Sequence, residues 1–292
     1  MNAASVAHAP AARPRRTPSS VLRRTAFWLA VAAIVVWSLG PFLWQVVASL
    51  QPDRELLRST PKFLPLPPTG DHFSNAFEVK QFHRYIINSV IVVGATTVLS
   101  LIIASCAAYG LARFRVPGRM AVLGVILGIS MFPQIALVAP LYLVMGNLGL
   151  LDTYKGLIGV YVSFGLPLMV WVLFGHFRQI PRELDEAAKI DGAGTLRILW
   201  SVIAPMAMPG VVTAGLLGFI AAWNEFMFAL AFTTSIDHQT IPVGIANFTE
   251  LYYIPWGDVA AASVVVTVPL VVLVLIFQRR IVAGLTQGAV KE

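Results

Sequence analysis

Charge is scarce in this sequence. Only 12% of its 292 residues are Asp, Glu, Lys or Arg, and 57% are hydrophobic, whereas a soluble domain carries about 25% charged residues. Cysteine is nearly absent too. Because Cys106 is the single cysteine, an internal disulfide and a cysteine-rich zinc site are excluded. So little charge excludes an ordinary water-covered surface, and so many apolar residues exclude a disordered chain. The composition indicates an integral membrane protein.

Motifs for catalysis and nucleotide binding are missing as well. No Gly-Lys dipeptide occurs, so the Walker phosphate loop is absent, and no G-x-S-x-G pattern marks a serine nucleophile. The five histidines are scattered without metal-ligand spacing, so we expect no metal site and no catalytic residues. A membrane enzyme, one alternative function, therefore lacks a recognisable site.

Long apolar runs, by contrast, are frequent. A helix needs about 20 mostly apolar residues to cross the hydrocarbon core of a bilayer. Six stretches meet that requirement, and we expect an all-α integral membrane protein with six transmembrane helices: Ala26–Ser49, Ile86–Ala112, Met120–Met145, Gly156–Gly175, Met206–Phe232 and Val259–Gln278.

Basic residues predict the orientation. An even number of spans puts both termini on one side, and that side carries 15 Lys and Arg against 6 on the other. Because cytoplasmic loops are enriched in Lys and Arg, we expect both termini in the cytoplasm and the chain in the cytoplasmic membrane, in contact with lipid. The net charge of +7 is then explained without a nucleic-acid partner.

Prolines and one glycine fall inside several predicted spans. Proline removes a backbone hydrogen bond, and in lipid the freed carbonyl needs another partner. Buried kinks that line a cavity meet this need and are common in transporters. We expect helix breaks at Pro133, Pro140, Pro167, Pro209, Gly210 and Pro269.

The connection before the fifth span predicts a short capped helix over 181–191. Pro181 suits the first helical position, acidic residues follow where the helix dipole favours negative charge, and Gly192 can adopt the left-handed cap. Spacing of three and four residues places Leu184, Ala187, Ala188 and Asp191 on one face.

Two alanines on that face allow another surface to approach closely, so we expect a projecting helix that inserts into a partner protein. The alternative is an interfacial helix that lies on lipid. The acidic first turn disfavours it, because the inner leaflet is negatively charged.

A family resemblance rests on this segment. Glu186-Ala187-Ala188, followed by Gly192 and by Pro205 thirteen residues later, resembles the EAA loop of ATP-binding-cassette importer permeases. Further matches resemble the smaller permease of maltose-type carbohydrate importers, and residues 241–249 and 277–291 look closest to trehalose/maltose transporters. Those further matches are Asn88-Ser89, Ala108-Tyr109 with Arg113-Phe114, Met131-Phe132-Pro133, Trp223-Asn224-Glu225 and Gly284-Leu285-Thr286.

The resemblance implies a type I importer permease fold and a transport function without enzymatic activity. The chain would move a sugar, such as the disaccharides trehalose or maltose, while ATP and Mg bind a separate ATPase and no cofactor binds this chain. The implied partners are a homologous second permease, two ATPase subunits and an external sugar-binding protein. The implied coupling residues are Leu184, Glu186, Ala187, Ala188, Asp191 and Gly192.

Two finer contacts also follow from the resemblance. Glu186 is expected to pair with an arginine of the ATPase, and residues 285–292 are expected to reach the ATPase dimer. We divide the chain accordingly into a disordered cytoplasmic tail, a first helix with an external loop, a permease core that contains the coupling loop 181–205, and a C-terminal tail: residues 1–24, 25–83, 84–279 and 280–292.

One carboxylate lies inside a predicted span. A charged group at mid-membrane costs about 2.5–3.5 kcal/mol on insertion scales, so it must face a cavity, a partner or water. Glu225 therefore lines a sugar path, makes a structural hydrogen bond, or sits at the outer boundary. The candidate pathway residues are Trp223, Asn224, Glu225 and Phe226.

Two other transport functions remain open at this point. An ion-gradient-driven transporter or channel would carry several carboxylates in its spans, and Glu225 alone is clearly placed there. A permease for a non-sugar solute such as glycerol phosphate would share the EAA-type loop.

Overall fold

The computed structural model describes residues 18–58, 63–64, 67–249 and 253–286, and every regular element in these ranges is helical. Two π-helical turns, Asn75–Val79 and Leu199–Ile203, follow α3 and α9. The α-helices of the described residues are, in chain order, α1 (Pro18–Ser49), α2 (Asp53–Leu56), α3 (Asp71–Ser74), α4 (Phe82–Arg113), α5 (Arg119–Ser130), α6 (Gln134–Asn147), α7 (Tyr154–Gln179), α8 (Glu183–Ile190), α9 (Thr195–Ile198), α10 (Ala204–Met206), α11 (Met208–Trp223), α12 (Met227–Phe232), α13 (Ile241–Ala246) and α14 (Trp256–Thr286).

Four of these helices are long and apolar enough to cross a membrane unbroken, and they correspond to the first, second, fourth and sixth predicted spans. The other two predicted spans are bent. α5 and α6 meet at 87°, and the segment Thr195–Met206 meets α11 at 88°. Within the described residues the number of spans is therefore four, or six if each bent pair crosses once. The breaks expected at Pro133 and Pro209 thus lie at these two bends, the first inside the predicted span Met120–Met145 and the second near the start of the predicted span Met206–Phe232.

Prolines mark the two sharp bends but do not break the other helices. Pro133 is the N-cap of α6, and Pro209 lies in the first turn of α11. Pro140, Pro167 and Pro269 lie inside helices that continue past them. Each proline removes one backbone hydrogen bond while the bonds of neighbouring turns remain, so the breaks expected at these three positions do not occur.

Gly210 also has a different role from the expected break. It lies inside α11, where a Cβ would be 2.3 Å from Cγ of His176 on α7. Only glycine permits so close an approach, and small residues at helix contacts are the usual means of packing in membranes. Gly210 thus brings α11 against α7.

The buried side chains form two clusters along the helix bundle. The first cluster contains Phe82, Leu157, Trp223 and Ile241. The second contains Tyr109, Leu173, Phe177, Ile198 and Leu199. α4 and α7 contribute to both, so these two helices form the central pair, whereas α1 packs along α14 and leaves most of its surface exposed.

The connection between α1 and α4 is folded rather than extended. Buried His72 lies with Nδ1 2.8 Å from Oδ1 of Asp258 and Nε2 2.8 Å from the carbonyl oxygen of Gln51. Asn75 donates to the other oxygen of Asp258. These contacts attach the connection to the first turn of α14.

The ends of the chain differ from the predicted division. α1 begins at Pro18, so 18–24 are helical; proline suits the first helical position, and Leu22, Arg23 and Arg24 are good helix formers. Residues 1–17 of the predicted tail lie outside the described residues. At the other end α14 continues to Thr286, and of the tail 285–292, which is expected to reach the ATPase dimer, residues 287–292 lie outside the described residues.

Candidate functional site

α8 is the short capped helix that the sequence predicts. Gly192 follows it with a φ of +78°, which confirms the left-handed cap. The amide of Gly192 donates to the carbonyl of Lys189 at 3.0 Å, and that of Ala193 donates to Ala188 at 2.9 Å. The helix begins at Glu183, two residues after Pro181.

The six predicted coupling residues lie on two sides of this segment. Four of them are exposed, whereas Leu184 and Ala188 are half-buried, and Ala188 packs against the second cluster. The residue spacing predicted one face for Leu184, Ala187, Ala188 and Asp191. Leu184 and Ala188 instead turn toward the chain's own core, whereas Ala187 and Asp191 turn outward. The four exposed residues are Glu186, Ala187, Asp191 and Gly192.

Large apolar side chains on α8 and the turns that follow it are also exposed. Ile190 is 87% exposed, Leu196 is 65% exposed and Trp200 is 43% exposed. Exposed apolar patches bordered by polar residues commonly mark contact sites for proteins or membranes. The carboxylate of Glu186 makes no ion pair with any other described residue, so it remains available on this surface.

A buried ion pair anchors α8 to the Arg113 end of α4. Nε of Arg113 lies 3.0 Å from Oδ2 of Asp185, and both side chains are more than nine-tenths buried. The two atoms are not aligned for a hydrogen bond, so charge attraction holds the pair. Tyr109 donates its hydroxyl to Oδ1 of Asp185 at 3.0 Å, and Nη1 of Arg113 donates to the carbonyl of Ile180 at 3.0 Å.

Sequence reasoning missed this anchor. It assigned Asp185 to the helix dipole and Arg113 to the charge bias of the loops. The available signal was the pair of motifs Ala108-Tyr109 and Arg113-Phe114, which carried the family resemblance but received no role. The anchor fixes the orientation of α8, because a buried charge can move only with its partner.

Glu225 lies in the short gap that separates α11 from α12. Its carboxylate accepts hydrogen bonds from the backbone amides of Phe228 at 2.8 Å and Ala229 at 3.2 Å. Both amides belong to the first turn of α12, which has no partners for them within the helix. Of the three roles expected for Glu225, the structural hydrogen bond is therefore the one with direct support. The donors are backbone amides of this chain itself.

The other predicted pathway residues point in different directions. Trp223 is buried and stacks on Phe219 with ring centroids 5.4 Å apart. Asn224 is exposed and donates to the carbonyl of Ile220 at 2.8 Å. Phe226 is 36% exposed. These residues do not line one surface.

A cleft of about 80 Å³ adjoins Glu225. Its polar lining includes Tyr161 of α7 and Gln134, the first residue of α6. Neither residue was a candidate from the sequence. Tyr161 has no motif around it, and Gln134 directly follows the motif Met131-Phe132-Pro133, which carried the resemblance but received no role. The bend between α5 and α6 brings Gln134 to this position, and no sequence pattern specifies that bend angle.

The segment 233–241 is held against the Phe82 end of α4. Nδ2 of Asn88 donates to the carbonyls of Ile236 and Gln239, both at 2.9 Å, and its Oδ1 accepts from the hydroxyl of Tyr154 at 2.7 Å. Ser89 accepts from the amide of Ile241 at 2.8 Å. The dipeptide Asn88-Ser89, which also carried the resemblance, thus fixes this loop.

A third element, the turn before α7, supports the same loop. Oδ1 of Asp152 accepts from the amides of Thr234 at 3.0 Å and Ser235 at 3.1 Å. Burial opposes ionisation of Asp152, but the hydrogen bonds from Ser235 and Thr234 and the nearby His238 outweigh it and hold the pKa of this carboxyl below its ordinary value.

Ser235, His238 and Asp152 do not form a catalytic triad. Oγ of Ser235 is 3.1 Å from Nδ1 of His238, and Oδ1 of Asp152 is 3.5 Å from the same nitrogen. A triad needs the hydroxyl and the carboxylate on opposite ring nitrogens. The arrangement is a loop support.

The helical fold, the capped helix α8 and its anchor define a multi-pass membrane protein with an outward-facing helix between two of its spans. The chain belongs to the family of binding-protein-dependent transport system inner membrane components, whose sequence model matches residues 97–287. This confirms the resemblance carried by the EAA-type loop. The chain is therefore the permease component of a transport system of the ATP-binding-cassette class.

Curated relatives match nearly the whole chain. The trehalose transport system permease protein SugB of Mycobacterium tuberculosis is 43% identical over 92% of this chain and 98% of its own length. The trehalose/maltose transport system permease protein MalG of Thermococcus litoralis is 42% identical over 93% and 98%.

A solved structure has the same fold. The bacterial ABC transporter involved in the import of the acidic polysaccharide alginate contains a chain that superposes with a TM-score of 0.78, covering 91% of this protein and 99% of that chain. At 22% sequence identity, this likeness concerns the fold alone.

Proposed function

We propose that this chain is a permease subunit of an ATP-driven importer that moves a disaccharide, of the trehalose or maltose type, across the cytoplasmic membrane. A homologous second permease, two ATPase subunits that bind ATP and Mg, and an external sugar-binding protein complete the assembly. The observation that carries the proposal is α8, a capped and anchored helix with an exposed, partly apolar surface. The relatives named for trehalose and maltose transport support the substrate class.

The proposal assigns the two ends of α4 to opposite sides of the membrane. The Arg113 end, with α8, faces the cytoplasm and the ATPase, as the excess of Lys and Arg on that side favours. The Phe82 end, with the loop 233–241, faces the sugar-binding protein. All six predicted spans, with both bent pairs crossing once, and both termini in the cytoplasm are part of this proposal.

Rigid attachment of α8 makes the proposed coupling physically effective. A displacement of α8 by ATP-driven closure passes to α4 through the ion pair of Asp185 and Arg113, rather than being absorbed by a loose connection. Exposed Glu186 is proposed to pair with an arginine of the ATPase. Close interfacial charge pairs couple by about 1.5–7 kcal/mol, which is enough to keep the two proteins joined during the cycle.

The experiment that tests the function is reconstitution of the whole importer in lipid vesicles with the sugar-binding protein. We expect the ATPase to copurify with this chain and labelled trehalose or maltose to accumulate only with ATP. Glycerol phosphate and an imposed ion gradient serve as comparison conditions. Uptake of glycerol phosphate alone, or uptake driven by the gradient without ATP, would contradict the proposal.

Glu186→Arg tests the coupling assignment. We expect ATP-driven uptake to fall at least tenfold while membrane insertion is unchanged, because the substituted side chain would repel the partner arginine. Glu183→Arg is the matched control, since it makes the same charge change at an exposed position of the same helix. Equal loss in both variants, or normal uptake by Glu186→Arg, would refute the specific role of Glu186.

A further inference from the structure

A groove opens between the start of α5 and the end of α7. It has a volume of about 500 Å³ and is lined by Met120 of α5 and by Trp171, Phe174, Gly175, Arg178 and Gln179 of α7. The positions 171, 174, 175 and 178 recur at spacings of three and four residues, so they form one stripe along the helix. The groove is therefore a property of two packed helices.

The wall of this groove is apolar and open. Trp171 is 41% exposed and Met120 is 55% exposed. At Gly175 a Cβ would have no neighbouring atom within 4 Å, in contrast to Gly210, where packing against another helix requires glycine. The missing side chain of Gly175 thus leaves a floor that no other described part of the chain fills.

Arg178 places a positive charge at one end of the groove. It is exposed, and its guanidinium makes no hydrogen bond or ion pair with any other described residue. The neighbouring Gln179 adds an exposed side-chain amide. None of the described lining residues carries a carboxylate. The charge of Arg178 is therefore free to attract an anion.

The order of these groups matches a phospholipid of the cytoplasmic leaflet. Trp171 precedes Arg178 by seven residues, about 10 Å along the helix. In the orientation proposed above, the apolar wall then lies deeper in the bilayer and the guanidinium lies nearer the cytoplasm. An inner-leaflet phospholipid has its acyl chains and its phosphate in the same order, and basic pockets between membrane helices on this side bind anionic head groups.

We propose that this groove binds an anionic phospholipid of the cytoplasmic leaflet. Arg178 and Gln179 contact the phosphate, and one acyl chain lies over Gly175 against Trp171. A free phosphate ion would leave the apolar wall uncovered, so the occupant is a lipid. The bound lipid bridges α5 and α7 and thereby supports the first arm of the bent pair. The inference depends on the proposed placement of the Arg113 end at the cytoplasm and not on the transported solute.

The test measures lipid binding by the full-length chain, purified in detergent with the subunits that accompany it. Phosphatidylglycerol, which is anionic, and phosphatidylcholine, which is neutral overall, are titrated separately, and native mass spectrometry gives the apparent Kd of each. Arg178→Gln should weaken phosphatidylglycerol binding about fivefold, the contribution of one basic residue near an anionic lipid surface, with little change for phosphatidylcholine. Arg182→Gln is the matched control, because it removes an exposed charge that does not line the groove.

A second pair of variants tests the acyl-chain contact separately. Gly175→Leu fills the floor of the groove and leaves Arg178 in place, so it should weaken the binding of both lipids. Gly159→Leu is its control. It makes the same change at an exposed glycine of the same helix, which also has open space at its Cβ position and lies outside the groove.

A photo-activated label identifies what covers the groove. Attached to Trp171→Cys in a Cys106→Ala background, the label should cross-link to phospholipid. Cross-linking to the second permease would overturn the proposal, because a protein would then occupy the groove.

The binding results also separate the lipid site from the transport function. Equal phosphatidylglycerol affinity of Arg178→Gln and Arg182→Gln, or of Gly175→Leu and Gly159→Leu, would refute the lipid site. If the importer takes up neither sugar while Arg178→Gln still loses phosphatidylglycerol selectively, the proposed function fails and the lipid site is supported.

Discussion

The two ends of α4 hold their neighbours by different means. At the Arg113 end, one buried ion pair with Asp185 anchors α8. At the Phe82 end, several weaker contacts share the attachment of the loop 233–241: Asn88 donates to it, Ser89 accepts from it, and Arg84 forms an exposed ion pair with Asp237. The helix between them has 32 residues, which corresponds to about 48 Å at 1.5 Å per residue, so one rigid element joins both attachments.

This difference has a mechanical consequence. A buried charge pair loses its stability all at once when one member is removed, because the other is left without a counter-charge. Several separate hydrogen bonds and an exposed ion pair can be lost one at a time, each at a smaller cost. The attachment proposed to receive the force of ATP hydrolysis is thus all-or-none, whereas the loop at the other end can loosen in steps.

The largest effect is expected from Asp185→Ala. Removing the carboxylate leaves Arg113 buried and unpaired, which costs about 3–5 kcal/mol, and ATP-driven uptake should be lost with the fixed position of α8. Thermal unfolding and uptake of the reconstituted importer measure the two effects. Glu183→Ala, an exposed acid on the same helix, should change either by little.

A double variant sharpens this prediction. Replacing both members, as in Asp185→Leu with Arg113→Met, removes the unpaired charge and should recover most of the stability lost by Asp185→Ala. If the double variant is as unstable as the single one, packing of α8 rather than charge compensation would be the basis of the anchor.

A smaller effect is expected from Asn88→Ala. The carbonyls of Ile236 and Gln239 would lose their donor, at a cost of about 1–3 kcal/mol, confined to the loop. Amide hydrogen exchange across 233–241 should increase while that of α8 is unchanged. Asn224→Ala is the control, because its amide bonds only within its own helix; exchange that rises equally in both variants would be evidence against the assigned role.

Arg84→Ala should have less effect again. The ion pair of Arg84 with Asp237 spans 2.9 Å, but the side chains are 46% and 66% exposed. Exposed pairs contribute about 0.2–1 kcal/mol. We expect the unfolding temperature of Arg84→Ala to change by an amount near the limit of detection. High salt, which screens the pair, should change the unfolding temperature of the wild type by a similar amount. If Arg84→Ala destabilised the loop as much as Asn88→Ala, the order of these two contributions would be wrong.

Acid should produce the smallest change. Because hydrogen bonding lowers the pKa of Asp152 below its ordinary value of 3.8, the ionised carboxylate stabilises the loop above that pH, and this contribution is lost as pH falls through the lowered pKa. Protection of the Thr234 and Ser235 amides should decline below pH 4 in the wild type. In Asp152→Asn, whose amide oxygen cannot titrate, protection should not depend on pH in this range.

Much of the architecture could be predicted from apolar runs and capping residues. Four spans and the helix α8 follow from patterns within one segment, such as the left-handed cap at Gly192. The bends near Pro133 and Pro209 could be located but their angles could not, because the angle depends on packing against helices elsewhere in the chain. Prolines alone also overestimated the number of breaks, since Pro140, Pro167 and Pro269 are accommodated within helices.

The site was predictable to a smaller extent. The helix α8 and its cap followed from the sequence, but half of its predicted partner face packs on the chain's own core. The anchor of Asp185 on Arg113 was not predictable, because it joins residues 72 positions apart. The approach of Tyr161 to Glu225 likewise depends on where α12 restarts. Contacts of this kind arise from tertiary packing, and a single sequence contains no local pattern that specifies them.

The right-angled turn between α5 and α6 also constrains how the chain is made. The two arms have 12 and 14 residues, about 18 and 21 Å, and each is shorter than the roughly 30 Å of hydrocarbon. α5 packs on α7, and α6 packs on α12, both of which are synthesised afterwards. During biogenesis α5 and α6 therefore lack part of their packing partners until synthesis has continued past Phe232, the last residue of α12.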